Sequence, residues 1–257
     1  MPRLQLFEFT DLDHTPQLWR DMMTEQLVFV SKYGNPYGKI APKLKEVLEK
    51  LNCHSIIDLC SGSGGPAVTL QRQLEIEENY PVKITLTDKF PYKIGFEKAS
   101  FESNRKVAWS DISVDAMNVP KSLKGFRTLF TAFHHFDVDS ATKILEDAVR
   151  NKEGIGIFEM TDRKSFANWL AIFSGPFISF LVVPHYKPFS WKKIFLTYIF
   201  PIYPLIAFWE GIASILRTYT PKELRHMISS IDHEDYNWEI GKIGSAMCLI
   251  GYPIKSK

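Results

Sequence analysis

The sequence predicts an α/β fold: a doubly wound, mostly parallel seven-stranded sheet closed by a C-terminal antiparallel hairpin, with a helical apolar insertion after the fifth strand. Three observations predict it. Short apolar stretches alternate with helical patterns between residues 53 and 162, the spacing of parallel strand–helix–strand units. The stretch "SIIDLCSGSGGPAVTL" runs an apolar strand through Asp58 into Gly62, Gly64 and Gly65 and then back into a helical pattern. Near the C-terminus, "YNWEIGKI" and "AMCLIGYPI" flank a Gly-Ser turn, as antiparallel partners do.

Residues 1–52 read as a mostly helical cover. It ends in "IAPKLKEVLEKL", where Ile40, Leu44, Val47, Leu48 and Leu51 share one face at helical spacing. A first strand is expected from Ser55 to Leu59, followed by a helix through about Glu77. In "VKITLTDKF", Val82, Ile84 and Leu86 alternate, giving a second strand that ends near Asp88. A helix from about Tyr92 to Ser103 precedes a short third strand, expected around Ile112 to Asp115. The fourth strand is placed at "RTLFTAF", a helix from Ser140 to Arg150, and the fifth strand at "GIGIFEM". The helix opening "TPKELRHMI" has a capping-box pair in Thr220 and Glu223, with Pro221 at its first helical position. The expected sheet domain therefore comprises residues 53–162 and 217–257, interrupted by an insertion at 163–216.

Composition narrows the function classes. A chain of 257 residues suits one α/β domain with an insertion. The net charge is only +2 and the basic residues are scattered, so no nucleic-acid face is expected. Cys53, Cys60 and Cys248 lack any CxxC or zinc-like spacing, the pattern of reduced thiols in a cytoplasmic protein without a structural metal. The N-terminus shows no basic segment followed by an apolar core, so no signal peptide is expected.

A glycine-rich turn between a strand and a helix lets a ligand approach the backbone and meet free helix N-terminal amides. The pattern GxGxxA at Gly62, Gly64 and Ala67 fits such a turn. Asp58, at the end of strand one, can accept hydrogen bonds from loop amides or face a cationic amino-acid ligand; it could also simply cap the next helix. Asp88 closes strand two, where an acid captures ribose hydroxyls, or it is a loop acid before "KFP". Asp115, in "DAMNVP", can accept an exocyclic amine.

Together these stretches resemble the class I, Rossmann-like S-adenosylmethionine-dependent methyltransferases, over roughly residues 40–160 and the terminal hairpin. "DLCSGSG" is similar to that family's D-x-G-x-G-x-G motif, with Cys60 where its first glycine usually stands. "LTDKF" resembles the acidic second motif, "DAMNVP" the D-A-x-x-L-P segment, and "TAFHHF" the histidine-containing end of strand four. The resemblance implies S-adenosylmethionine as cofactor, leaving as S-adenosylhomocysteine. Its binding residues would be Asp58, Cys60, Ser61, Gly62, Gly64, Asp88, Lys89, Asp115, Ala116 and Phe133. His134, His135 and Glu159 become catalytic candidates; the alternative has one histidine packed beside the cofactor and the other facing solvent, and Glu159 paired with Arg163 or Arg217. Tyr33 and Tyr37, in "KYGNPYGK", and Phe136 become candidates for acceptor contact.

The implied reaction is direct methyl displacement onto a small, largely apolar acceptor, lipid-like or aromatic. Two other classes stay open: a non-catalytic cofactor-binding or membrane-associated scaffold, and an NAD-dependent oxidoreductase. The latter suits GxGxxA and Asp88 but leaves Asp115 and the hairpin unexplained. The insertion has no formal charge from 165 to 186 and again across "IFLTYIFPIYPLIAFW". Pro176, Pro184, Pro201 and Pro204 argue against two straight spanning helices. It reads as a lid over an apolar pocket, a peripheral membrane surface or a homodimer interface. In the membrane reading, Trp169, Trp191 and Trp209 lie at headgroup level and Lys187, Lys192 and Lys193 face anionic lipid.

Overall fold

The computed structural model describes residues 2–12, 14–186, 189–231 and 234–254; for Ser31, Lys32 and Tyr33 it describes the backbone alone. The first half of the chain gives α1 (Gln17–Gly34), α2 (Ile40–Leu51), β1 (Ser55–Asp58), α3 (Gly65–Arg72), β2 (Lys83–Leu86), α4 (Lys93–Glu102), β3 (Val107–Trp109) and β4 (Phe126–Phe130). The second half gives α5 (Val138–Arg150), β5 (Ile155–Glu159), α6 (Phe166–Val182), α7 (Trp191–Ile194), α8 (Ile202–Arg217), α9 (Pro221–Ser229), β6 (Tyr236–Ile243) and β7 (Ala246–Pro253). The chain divides into two units: Asn35–Met160 with Pro221–Lys257, and Met1–Gly34 with Thr161–Thr220.

The first unit holds the sheet. Its strands run in the order β3-β2-β1-β4-β5-β7-β6. β1 pairs in parallel with β2 on one side and β4 on the other, so the strand order reverses between β1 and β4. β7 enters antiparallel between β5 and β6, and the hairpin lies where the alternation around Gly244 and Ser245 predicts. β4 and β5 are buried at every position, as strands covered on both faces must be. Ile40, Leu44, Val47 and Leu48 of α2 are buried in the same core as Ile56, Ile84, Phe126 and Phe158. Arg127 on β4 is also fully buried; its guanidinium donates to Asp147 of α5 at 2.7 Å, because a buried charge requires a partner.

The third strand differs from expectation. Val107–Trp109 pairs with Ile84–Leu86, while residues 112–115 lie in the loop beyond it. Val107 is buried against the sheet, whereas Ile112 is exposed, so pairing with β2 selected Val107–Trp109 although Ile112 and Val114 show the strand alternation as well.

The second unit is helical. Met22 of α1, Val182 at the end of α6, Val183 and Tyr186 beyond it, and Tyr203 and Ala207 of α8 form its core. Polar bonds fix the packing: the Tyr203 hydroxyl donates to the Met22 carbonyl at 3.0 Å, and Lys193 pairs with Glu25 at 2.7 Å. The N-terminal segment is tied to α8, with Arg217 pairing with Asp11 at 2.6 Å and Glu210 accepting the Thr10 hydroxyl at 2.9 Å. Residues 1–34 thus group with the segment after β5, while α2 belongs with the sheet. Pro176 sits inside α6 without ending it. The helical stretches Trp191–Ile199 and Ile202–Arg217 meet at a bend of 79°, at Pro201.

Candidate functional site

The site is built at the carboxyl end of the sheet, where β1 and β4 diverge. In open α/β sheets this is where the strand ends leave a crevice. The turn leaving β1 is shaped by three left-handed residues: Cys60 at φ 54°, Gly62 at 54° and Gly64 at 74°. Glycine adopts this region freely, while a side chain costs about 1 kcal/mol or more. At Gly64 a second reason applies, since an added Cβ would come within 2.5 Å of Leu86 Cδ1. At Gly62 a Cβ would meet nothing within 4 Å, so the backbone there is open to approach. The turn is held by Ser61, whose amide donates to the Thr87 carbonyl at 3.0 Å and whose hydroxyl donates to the Asp58 carbonyl at 2.7 Å.

Cys60 therefore keeps a thiol on a backbone that favours glycine. Burial pushes that thiol well above its ordinary range, and the carboxylates of Asp88, Asp58 and Asp115 push it further. A neutral thiol in that setting is a packing group rather than a nucleophile.

The acids occupy three different settings. Asp58 is buried, and its Oδ1 accepts the Thr128 hydroxyl at 2.6 Å. It does not cap α3, whose N-cap is Gly64. Burial drives its carboxyl up to about 7, against the lowering hydrogen bonds of Thr128 and Ser61, and the neighbouring Asp88 charge adds to the rise. Asp88 ties two loops together: its Oδ2 accepts the Gly62 amide at 3.0 Å and its Oδ1 accepts the Phe90 amide at 2.9 Å. Burial raises this carboxyl as well, opposed by the Phe90, Gly62 and Lys89 amides and by His135. Asp115 lies in the loop after β3 rather than at the strand end. Its Oδ1 accepts the Met117 amide at 2.9 Å and its Oδ2 pairs with Lys89 at 3.1 Å. Ala116 beside it is buried.

Beyond β4 the chain makes a tight turn, Phe133–His135. Phe133 and His134 are buried, and Phe136 is half-buried. Glu159, at the end of β5, accepts the His134 amide through Oε1 at 3.1 Å, and its Oε2 lies 2.8 Å from His134 Nδ1. Burial would raise the Glu159 carboxyl, but the His134 charge and hydrogen bonds, with His135, hold it below the ordinary carboxylate range. The two imidazoles stack with ring centroids 4.4 Å apart. The partner of Glu159 within this unit is His134, which was not among the expected ones, Arg163 and Arg217.

Tyr37 is placed differently from the acceptor contact proposed for it. The residue is buried in the sheet core, edge-on to Phe130 at 4.9 Å between centroids. Its hydroxyl is hydrogen-bonded to the Thr131 hydroxyl, and burial raises its pKa beyond the usual tyrosine range. Tyr33 has its side chain outside the described residues.

Sequence reasoning missed two threonines. Thr128 holds the Asp58 carboxyl, and Thr131, a β-branched residue at φ 47°, carries backbone strain of a kind that clusters at functional sites. Thr128 belongs to none of the motifs, a threonine inside an apolar strand being its only signal; Thr131 opens "TAFHHF", where the histidines drew the attention. Two surface cavities of about 350 and 380 Å³ lie elsewhere on this unit, lined by Arg225 and Trp238 and by Lys50 and Tyr252 respectively. Neither includes a residue of the glycine turn.

No protein-family model matches the sequence, and no curated protein matches it. Solved structures do match its fold. An O-methyltransferase family protein from Burkholderia thailandensis superposes with a TM-score of 0.52 at 13% identity, over 93% of this chain and 60% of that one. A candidate O-methyltransferase from Nostoc punctiforme gives 0.52 at 13% identity, over 98% and 64%. The plantazolicin methyltransferase BpumL, solved in complex with S-adenosylhomocysteine, gives 0.50 at 14% identity, over 93% and 97%. The chain thus spans less than two thirds of the length of the first two. The likeness establishes the architecture: this chain has the Rossmann-like fold of class I methyltransferases, with the antiparallel hairpin that closes its sheet.

Proposed function

We propose that the protein is an S-adenosylmethionine-dependent methyltransferase acting on a small, largely apolar acceptor by direct displacement. The observation that carries this reading is the glycine turn at the β1/β4 divergence, with Asp88 accepting the Gly62 amide and Asp58 buried just behind it. The open backbone at Gly62 admits a nucleoside-bearing ligand, Asp88 offers its carboxylate toward ribose hydroxyls, and Asp58 supplies an anion for an amino-acid ammonium. Lys89, Asp115 and Ala116 border the position of the base. A nicotinamide-dependent sheet of the usual order would add a sixth parallel strand, whereas here β7 runs antiparallel to β5.

When bound, the cofactor supplies a methyl group on a sulfonium that is already activated, so the protein's tasks are alignment and exclusion of water. In this reading His134 Nε2 would receive a proton from an acceptor hydroxyl while Glu159 holds Nδ1. That division of roles gives a neutral imidazole its basic nitrogen on the side away from the carboxylate. Phe133 and Phe136 supply apolar wall beside it.

Thermal denaturation with candidate ligands tests the cofactor. S-adenosylmethionine and S-adenosylhomocysteine should raise the melting temperature, because a ligand binding only the native state stabilises it, while NAD and NADP should not. A shift with NAD alone would overturn the reading. A screen of apolar hydroxylated acceptors with methyl-labelled S-adenosylmethionine then separates an enzyme from a binding module.

A further inference from the structure

The helical unit carries apolar surface that its own core does not use. Along α6, Phe166, Leu170, Phe173, Phe177 and Leu181 are all exposed, at successive spacings of four, three, four and four residues, which is one face of a helix. The 20-residue stretch Phe166–His185 is long and apolar enough to cross a membrane, and only 17% of its apolar window is buried. A second exposed run spans the 79° bend: Trp191, Phe195, Ile199 and Phe200 before it and Leu205 after it. The Tyr198 hydroxyl donates to the Phe180 carbonyl, and the two rings meet edge-on at 5.4 Å, which sets the second run beside the end of α6. Soluble surfaces rarely carry a contiguous apolar area of this kind without a partner.

Charge identifies the partner. From residue 163 to residue 209 the sequence has Arg163, Lys164, Lys187, Lys192 and Lys193 and not one Asp or Glu. Lys164 and Lys192 are exposed, at the start of α6 and beside Trp191 respectively. An acid-free, cationic, aromatic-rich surface complements an anionic lipid leaflet, where each basic residue near the headgroups is worth about 1 kcal/mol and tryptophan favours the interface.

The opposite side of α6 is taken up by protein rather than left for lipid. There Ser179 is buried and its hydroxyl donates to Gln26 of α1 at 3.3 Å. The same α1 carries Arg20, Asp21 and Glu25, the last paired with Lys193. A helix packed against such a neighbour can offer lipid one stripe, not its whole circumference.

We propose that this helical unit is a monotopic docking surface for anionic lipid bilayers, entering one leaflet with the α6 stripe and Trp191 while Lys164 and Lys192 meet the headgroups. The structure also sorts the expected headgroup residues. Lys193 is committed to Glu25. The indole N–H groups of Trp169 and Trp209 donate inward, to the carbonyls of Arg163 at 3.2 Å and Phe7 at 3.0 Å. Trp191, 76% exposed, is the tryptophan left to report on lipid. The surface is independent of methyl transfer, since binding is read without turnover.

The test is flotation of the full chain with vesicles of phosphatidylcholine containing about one third phosphatidylglycerol, alongside pure phosphatidylcholine. Wild type should float with the anionic vesicles and bind the neutral ones at least about tenfold more weakly. Lys164→Glu with Lys192→Glu should bring anionic binding down to the neutral level. Phe177→Ser with Leu181→Ser should abolish flotation while keeping the wild-type melting temperature. Should that pair unfold, quenching by bromine-labelled lipid decides instead: it should be strong in wild type and fall sharply in Trp191→Phe. Absence of flotation at every composition, quenching unchanged by Trp191→Phe, or a lipid-free dimer in sedimentation that Phe177→Ser with Leu181→Ser dissociates would each overturn the proposal.

Discussion

Glu159 binds His134 twice, accepting its backbone amide at 3.1 Å through one oxygen and facing its Nδ1 at 2.8 Å with the other. The amide bond fixes where the carboxylate sits, and the carboxylate in turn fixes the tautomer of the imidazole. Strand β5 therefore orients a side chain delivered by β4. If His134 serves as the acceptor's base, His134→Ala should lower turnover about a hundredfold or more, within the usual range for a positioned general base. S-adenosylhomocysteine affinity should change little. Glu159→Gln should lower turnover less and move the pH–rate profile, because a glutamine leaves the imidazolium without its anion. Equal turnover in wild type and His134→Ala would make the pair structural.

Asp58 couples stability to pH. Its carboxyl lies near 7 in the folded protein against 3.8 ordinarily, so between those values the native state holds a proton that the unfolded chain has lost. Stability from this group is accordingly greatest below pH 4 and falls as pH rises toward 7, by on the order of 4 kcal/mol across the window. Urea midpoints at pH 5 and pH 8 should show that decline in wild type and a flatter dependence in Asp58→Asn. An identical pH dependence in both proteins would remove Asp58 as its source.

The same carboxyl predicts how the cofactor binds. An ammonium group placed against Asp58 favours the ionised acid, so S-adenosylmethionine affinity should improve as pH rises from 6 to 8, with release of a proton. Calorimetry in buffers of different ionisation enthalpy reads that proton directly. Affinity that is flat over this range, with no buffer dependence, would place the amino group elsewhere.

Asp88 has a different signature. Asp88→Ala should weaken S-adenosylhomocysteine binding by about 1 to 3 kcal/mol, the cost of leaving ribose hydroxyls without their acceptor. Asp88→Asn should recover part of it. The alanine variant also loses the Gly62 and Phe90 amide bonds, so hydrogen exchange at those amides should quicken in it even without ligand. Unchanged affinity in calorimetry would take Asp88 out of the site.

Backbone conformation at the turn predicts an inverted order of substitutions. Cys60→Ala keeps a side chain at φ 54° and loses the thiol's packing, whereas Cys60→Gly loses the packing but relieves the left-handed strain. The alanine variant should therefore be the less stable of the two by about 1 kcal/mol. Gly64→Ala should cost about 2 to 4 kcal/mol, since it adds that strain to a clash with Leu86. Chemical denaturation of the three variants checks both statements, and a Cys60→Gly variant weaker than Cys60→Ala would refute the first.

The sequence by itself determined the features that depend on local rules. Glycines at 62 and 64 stand where the backbone is left-handed, Asp58 closes β1 and Asp88 follows β2 by two residues, and the alternation on either side of Gly244 set the hairpin. Each follows from residue type and spacing, because steric freedom, strand period and turn chemistry act over a few neighbours. Tertiary structure decided what depends on residues far apart in the chain. Burial against β2 moved β3 to Val107–Trp109, and the packing of β4 beside β5 gave Glu159 to His134. A core position drew Tyr37 inward to Thr131, while Glu25 took Lys193 from the surface. Those partners are separated by 25 residues in the first pair and 168 in the last, and at such distances along the chain only the close packing of the folded state selects which side chains meet.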